Sequence, residues 1–213
     1  LCRVLGWSQA LADTIVRYPS YSFETPQCIS RPALRALAGA LLTEYSTAEE
    51  KLEALRRFRR EQTLRIGLLD MEGTTWRKVE EFRMVVRQIS DLAQVCTQAA
   101  LEIVAPGGSA GFAVIALGKL GAGELNYSSD IDLIFLQDGD NAEAVKIGEA
   151  LLRALNGAQG DGALYRVDMR LRPEGQNGPL VTPLSYALNY YEAYAAAWEW
   201  QALIKSRGVA GDA

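Results

Sequence analysis

Asp130 and Asp132 stand two residues apart at the head of an apolar run that continues through Leu133, Ile134, Phe135 and Leu136. A strand over Asp130–Leu136 places both carboxylates on one face and Ile131, Leu133 and Phe135 on the other. Two residues along a strand separate Cα atoms by roughly 6.6 Å. Carboxylates leaning together from that distance can hold two divalent ions roughly 3.5–4 Å apart. A third acid, Asp168, lies in the alternating stretch ALYRVDMRLRP. There Tyr165, Val167, Met169 and Leu171 form one face, and Asp168, Arg170 and Arg172 share the other. One acid beside two guanidiniums suits a metal ion next to a phosphate. Each acid also has a plainer reading. Asp130 can cap a turn after Ser128-Ser129, Asp132 can face solvent from an edge strand, and Asp168 can simply pair with Arg170.

The composition removes other chemistries. The sequence contains no histidine, which excludes Ser-His-Asp and Cys-His catalysis and His-ligated zinc within these residues. Its three cysteines, Cys2, Cys28 and Cys96, have no metal-ligand spacing, and their odd number fits a reducing, cytoplasmic setting. A formal charge of −4 argues against general nucleic-acid binding. No apolar run approaches the ~20 residues of a membrane span, and no signal peptide is evident. The chain begins at Leu1 and ends on Gly211-Asp212-Ala213, which reads as part of a longer protein.

The acids need elements to position them. Phe112 to Leu117 predict a strand, and Gly118, Gly121 and Gly123 a tight turn before the Asp130 strand. The GxxGxG spacing is neither the GxGxxG of a dinucleotide fold nor a Walker A loop. Upstream, the spacing predicts helices over Val4–Val16, from Pro32 through Leu41, from a capping box at Thr47–Glu50, and from Thr74 or Thr75 to about Ala105. The last carries a core stripe that includes Trp76, Val79 and Phe82. Glu53–Arg57 and Glu61–Arg65 read as i,i+4 ion pairs. Arg56, Arg57, Arg59 and Arg60 read as a phosphate or acidic-partner contact, or as a solvated face. Pro106-Gly107-Gly108-Ser109 marks a boundary between a helical segment, 1–105, and a catalytic domain, 106–213. Downstream come a helix over Asn141–Leu155, a loop around Asp161, the Asp168 strand, a polar turn over Glu174–Pro179, and a helix opened by Thr182-Pro183. Tyr190, Tyr191, Tyr194, Trp198 and Trp200 could stack on a base, with packing against the sheet the plainer reading for most of them.

LGKLGAGELNYSSDIDLIF followed by RVDMRLRP resembles the nucleotidyltransferase superfamily that includes DNA polymerase beta. Within it the segment is similar to the glutamine synthetase adenylyltransferase / adenylyl-removing family, a likeness extended by Gly178-Pro179-Leu180-Val181, Tyr190-Tyr191, Trp198-Glu199 and Lys205. Lys119 departs from the superfamily, where a small residue is usual after the first glycine. The resemblance implies an α+β fold, with helices followed by a nucleotidyltransferase-type mixed sheet. It implies Asp130, Asp132 and Asp168 as catalytic residues that hold Mg²⁺. Gly118, Lys119, Ser129, Arg170, Arg172 and Lys205 become the candidates for nucleotide and phosphate binding. It further implies ATP or ADP and phosphate as small-molecule partners, glutamine synthetase as protein substrate, and a PII-type signal protein and glutamine as regulators of the full enzyme. The motifs of the removing half are the better match, so the expected reaction is phosphorolysis of adenylylated glutamine synthetase. The adenylylating half, a non-catalytic nucleotide- or partner-binding module and a helical scaffold are the competing expectations.

Overall fold

The computed structural model describes residues 6, 8–19, 21, 26–72, 79–139, 142–157 and 162–212. Helices come first. Helix α1 (Gln9–Arg17) starts where the Ser8 hydroxyl accepts from the Leu11 amide, satisfying one of the donors a helix start leaves open. Ser30 does the same for α2 (Arg31–Leu42), which has Pro32 in its first turn. The capping box forms ahead of α3 (Ala48–Glu72): Thr47 donates to the Glu50 carboxylate from its amide (3.0 Å) and hydroxyl (2.9 Å), and the Glu50 amide returns to Thr47 Oγ1 at 3.2 Å.

Helix α3 packs on two sides. Leu55, Phe58 and Ile66 join the main core, and Leu64 meets Leu11 and Ile15 of α1 in a smaller cluster. The expected Glu53–Arg57 and Glu61–Arg65 pairs do not form. Glu53 instead pairs with Arg56, which is 7% exposed. Arg65 turns to Gln62, Gln88 and the Gln27 carbonyl. The basic cluster is therefore split. Arg56 is buried, Arg59 lies 4.7 Å from the Tyr165 ring centroid, and Arg57 stacks on Tyr45.

Helix α4 (Val79–Val104) is the central beam, buried from Val85 to Ile103 on one face. Its expected stripe starts too early. Phe82 is 57% exposed and Val79 is exposed as well, because the run of buried positions begins only one turn later. Trp76 and the Thr74/Thr75 cap lie outside the described residues.

Strand β1 (Phe112–Ala116) and β2 (Ile131–Gln137) pair antiparallel, with Ala116 opposite Leu133. Between them runs a five-residue helix, α5 (Gly118–Ala122), in place of the expected simple turn. After β2 come α6 (Ala142–Asn156), β3 (Val167–Asp168), a single 3₁₀ turn at Gly175–Asn177, β4 (Val181–Pro183), α7 (Leu184–Ala193), α8 (Ala197–Leu203) and β5 (Arg207–Gly211). Strand β5 pairs antiparallel with β1. Strands β3 and β4 both run parallel to β2 on its other edge, β3 against Ile131–Asp132 and β4 against Phe135–Gln137. The mixed five-stranded sheet packs with α4 and α6 around one core, which includes Phe112, Phe135, Leu101 and Leu151. The architecture is α+β, as expected.

Three downstream expectations change. The Asp168 strand is two residues long, because the Asp168 carboxylate accepts from the Arg170 amide at 2.8 Å and turns the chain away. Thr182-Pro183 closes β4, and α7 begins after it at Leu184. Among the aromatic residues of this stretch, Tyr194 and Trp200 are exposed in place of packing on the sheet. Trp198 is 57% exposed as well, and the Tyr191 ring contacts those of Tyr190 and Trp200. Asp161 lies outside the described residues. Among the described residues no helix is long and apolar enough to cross a membrane.

Candidate active site

The edge of β2 gathers the three acids. Asp132 is the second residue of the strand and pairs with Asp168 of β3 across the parallel register. Asp130 is the residue just before β2. The Leu117 amide donates to the Asp132 carbonyl at 2.9 Å, so the β1–β2 ladder continues to the mouth of α5. There the backbone of Gly118 has φ +53°, and a Cβ on it would lie 2.4 Å from Asp132 Oδ2. Glycine is required at this position both by conformation and by the carboxylate above it.

Each acid has a different electrostatic setting. Asp132 is half-buried. Desolvation raises its pKa, the Asp168 and Asp130 charges raise it further, and Arg170 and Lys119 pull partly the other way. Asp168 is held below the usual carboxylate range, chiefly by Arg170, whose Nε lies 2.9 Å and Nη2 2.5 Å from Oδ2. Asp130 accepts from Arg166 Nε at 2.6 Å, and the same guanidinium reaches the Ser128 carbonyl at 2.9 Å.

Among the described residues no three acidic or thiol side chains form a ready-made metal cage. Two of the three acids are held by guanidiniums instead. The donor set still fits a hard divalent ion. It is all carboxylate oxygen, and Asp132 sits beside two like charges that disfavour its own.

The candidate phosphate ligands are not all gathered. Lys119 Nζ lies 3.4 Å from Ser129 Oγ, which donates to Asn126 Oδ1 at 2.6 Å, so Lys119 and Ser129 share one rim. Lys205 pairs with Glu124 at 3.0 Å. Arg172 donates to the carbonyls of Met169 (2.7 Å), Gln176 (3.1 Å) and Gly178 (3.1 Å), which makes it the frame of the Glu174–Gly178 loop. An open depression of about 400 Å³ is bordered by Asp130, Asp168, Arg170, Arg172 and Gln176. A larger cavity of about 750 Å³, between α1 and α3 and closed by Tyr127 and Ser128, is lined by none of the three acids.

Sequence reasoning gave no role to Arg166, Gln176 or Ser90. Arg166 was accessible to it, since period two puts Arg166 on the Asp168 face. Ser90 was not. Its hydroxyl, buried on α4, donates to the Val86 carbonyl and accepts from the Leu125 amide at 2.9 Å, anchoring the loop that leads to Asp130.

Comparison with known proteins identifies the family of this chain. The family model described as glutamate-ammonia ligase adenylyltransferase matches residues 1–213. The chain is similar to the bifunctional glutamine synthetase adenylyltransferase/adenylyl-removing enzyme of Nitrosococcus oceani, at 36% identity over 245 residues, covering 100% of this chain and 25% of that protein. It is similar to the proteins of the same name from Brucella suis (32% over 242 residues, 100% of this chain, 24% of that protein) and Streptomyces avermitilis (37% over 226 residues, 100% and 22%). The chain thus spans about a quarter of the length of these relatives. With a family match along its whole length and relatives above 30% identity covering all of it, this chain belongs to the glutamate-ammonia ligase adenylyltransferase family, a family of nucleotidyltransferase enzymes.

Proposed function

We propose that this chain carries the adenylyl-removing reaction, in which AMP leaves a tyrosine of adenylylated glutamine synthetase by phosphorolysis. One observation carries the nucleotidyl-transfer part: Asp132 is lodged between Asp130 and Asp168 at the mouth of the glycine helix, with Lys119 beside it. In the reaction an oxygen of inorganic phosphate bonds to the AMP phosphorus and the bond from phosphorus to the tyrosine oxygen breaks. The proton of the phosphate ends on the tyrosine, and ADP is released.

Asp130, Asp132 and Asp168 would hold Mg²⁺, which when bound would supply Lewis-acid polarisation of the phosphoryl group. The chain's own residues do the rest. Lys119 and Ser129 line the rim where phosphate oxygens would sit. Arg170, exposed, can turn from Asp168 to an anion, and its fork suits two phosphate oxygens. Gly118 leaves the approach beside Asp132 clear of a side chain. ATP, ADP and phosphate are thus the small molecules of the site. A PII-type signal protein would act on the longer enzyme, and the cytoplasm is the expected compartment.

The direction rests on sequence likeness, in Gly178-Pro179-Leu180-Val181 and Tyr190-Tyr191. A second reading is the adenylylating half, favoured by Trp200-Gln201-Ala202-Leu203 and Val209-Ala210-Gly211-Asp212. Adenylylated glutamine synthetase, phosphate and Mg²⁺ should together yield ADP, and chelation of the metal should stop it. AMP transfer from ATP to unmodified glutamine synthetase, with no ADP in the first assay, would reverse the direction. Inactivity in both assays, with the metal present, would remove the nucleotidyl-transfer reading.

A further inference from the structure

The segment that enters β5 lies against the last turn of α5. A Cβ on Gly121 would stand 2.0 Å from the Lys205 carbonyl oxygen, so only glycine lets the two backbones touch. Arg207, the first residue of β5, sits opposite Ala116 at the exit of β1. All three of its donor nitrogens are engaged. Nε donates to the Gly121 carbonyl at 3.0 Å, Nη2 to the Leu120 carbonyl at 3.0 Å, and Nη1 to Gln94 Oε1 on α4 at 2.5 Å.

Two of these acceptors are carbonyls at the end of α5. A helix end leaves carbonyls short of partners; in this five-residue helix the Leu120 carbonyl accepts from the Gly123 amide at 3.1 Å and the Lys119 carbonyl from the Glu124 amide at 2.8 Å, and Arg207 adds a side-chain donor to the Leu120 and Gly121 carbonyls. The fork of Arg207 covers both carbonyls with a positive charge at the favourable end. The third donor ties the unit to α4. Gln94 accepts there from Arg31 of α2 as well, at 2.7 Å. The placement is costly. Burial, and the nearby Arg87 and Arg31 charges, push the Arg207 pKa down. Such a site favours one residue whose geometry matches three acceptors at once.

Arg207 is bonded to none of the acids, and its effect must pass through α5. That helix carries Gly118 under the Asp132 carboxylate and Lys119 beside Ser129. We propose that Arg207 is a positioning residue of the nucleotide site, clamping α5 so that Gly118 and Lys119 hold their places against the acid cluster. This rests on the nucleotidyl-transfer reading.

The test uses the purified chain with Arg207→Gln and Arg207→Lys, with ADP and Mg²⁺ as the probe. Calorimetry should give an ADP Kd raised about tenfold in Arg207→Gln, the loss expected for hydrogen bonds to a charged group. Arg207→Lys should fall between, since it keeps the charge and loses the fork. Amide exchange at Gly121 and Gly123 should accelerate in both variants, while exchange at Val114 and Phe135 stays as in the parent. If Arg207→Gln does not fold, Arg207→Lys carries both readouts. An unchanged ADP Kd alongside faster α5 exchange would make Arg207 merely structural and overturn the proposal. Unchanged α5 exchange would overturn it too. A parent chain that binds no ADP would bring down the nucleotidyl-transfer reading itself, and the positioning role with it.

Discussion

The carboxylate of Asp132 lies over the α-carbon of Gly118, so close that a methyl group there would stand 2.4 Å from Oδ2. Gly118→Ala therefore has two faults, a side chain at φ +53° and a collision with the acid. We expect a stability loss of about 1–2 kcal/mol from the backbone. Displacement of Asp132 should add a fall in turnover of about a hundredfold. Urea denaturation and initial rates check the pair. Full activity in the variant would show that Asp132 is not held by this contact.

Asp132 also predicts a pH signature. Its folded pKa is raised from 3.8 by burial and by Asp168 and Asp130. The sign follows from linkage: the contribution of this group is fully present below the unfolded value and is lost as pH rises through the folded value. Asp132→Asn removes that loss. In metal-free buffer at pH 7 the variant should melt higher than the parent, and the gap should close below about pH 4. Turnover should be abolished in the same protein. A variant that melts lower at pH 7 and higher in acid would reverse the assignment.

Ser90→Ala tests the anchor of the acid-bearing loop. Ser90 is 0% exposed, and its hydroxyl is the acceptor for the Leu125 amide. Leaving that amide without a partner should cost about 1–3 kcal/mol. The measurement is the urea midpoint at constant slope. A change under a few tenths of a kcal/mol would mean that water or a backbone shift replaces the hydroxyl.

Arg172 separates two roles. If it frames the Glu174–Gly178 loop, Arg172→Lys cannot restore it, because a single ammonium does not span three carbonyls. Both Arg172→Lys and Arg172→Ala should then increase proteolysis within residues 174–178 to a similar extent. A lysine variant with parental protease resistance, and a loss confined to phosphate affinity, would return Arg172 to the role of an anion ligand.

Much of this arrangement was legible beforehand, where one local signal sufficed. Alternation and β-branching marked β1 and β2, Pro32 marked the start of α2, and the Thr47–Glu50 capping box that of α3. The two-residue spacing put Asp132 on the face that meets Asp168. What escaped depends on partners far along the chain. Strands β4 and β5 are three and five residues long and exist because β2 and β1 offer them edges. The Asp168 strand looked longer because its alternation runs on, whereas the side-chain bond from Asp168 to the Arg170 amide ends it. Phe82 fits the helical period of α4, but periodicity does not say where along a helix the covering neighbours begin.

Strand β2 shares a single edge between two short parallel partners, β3 at its start and β4 at its end. The chain leaves the sheet after Asp168 and rejoins it at Val181, carrying Arg170, Arg172 and Gln176 on the way. Both registers are fixed outside this excursion. Insertions or deletions within residues 169–180 can therefore reshape the rim while the hydrogen-bond ladder of β2 stays whole.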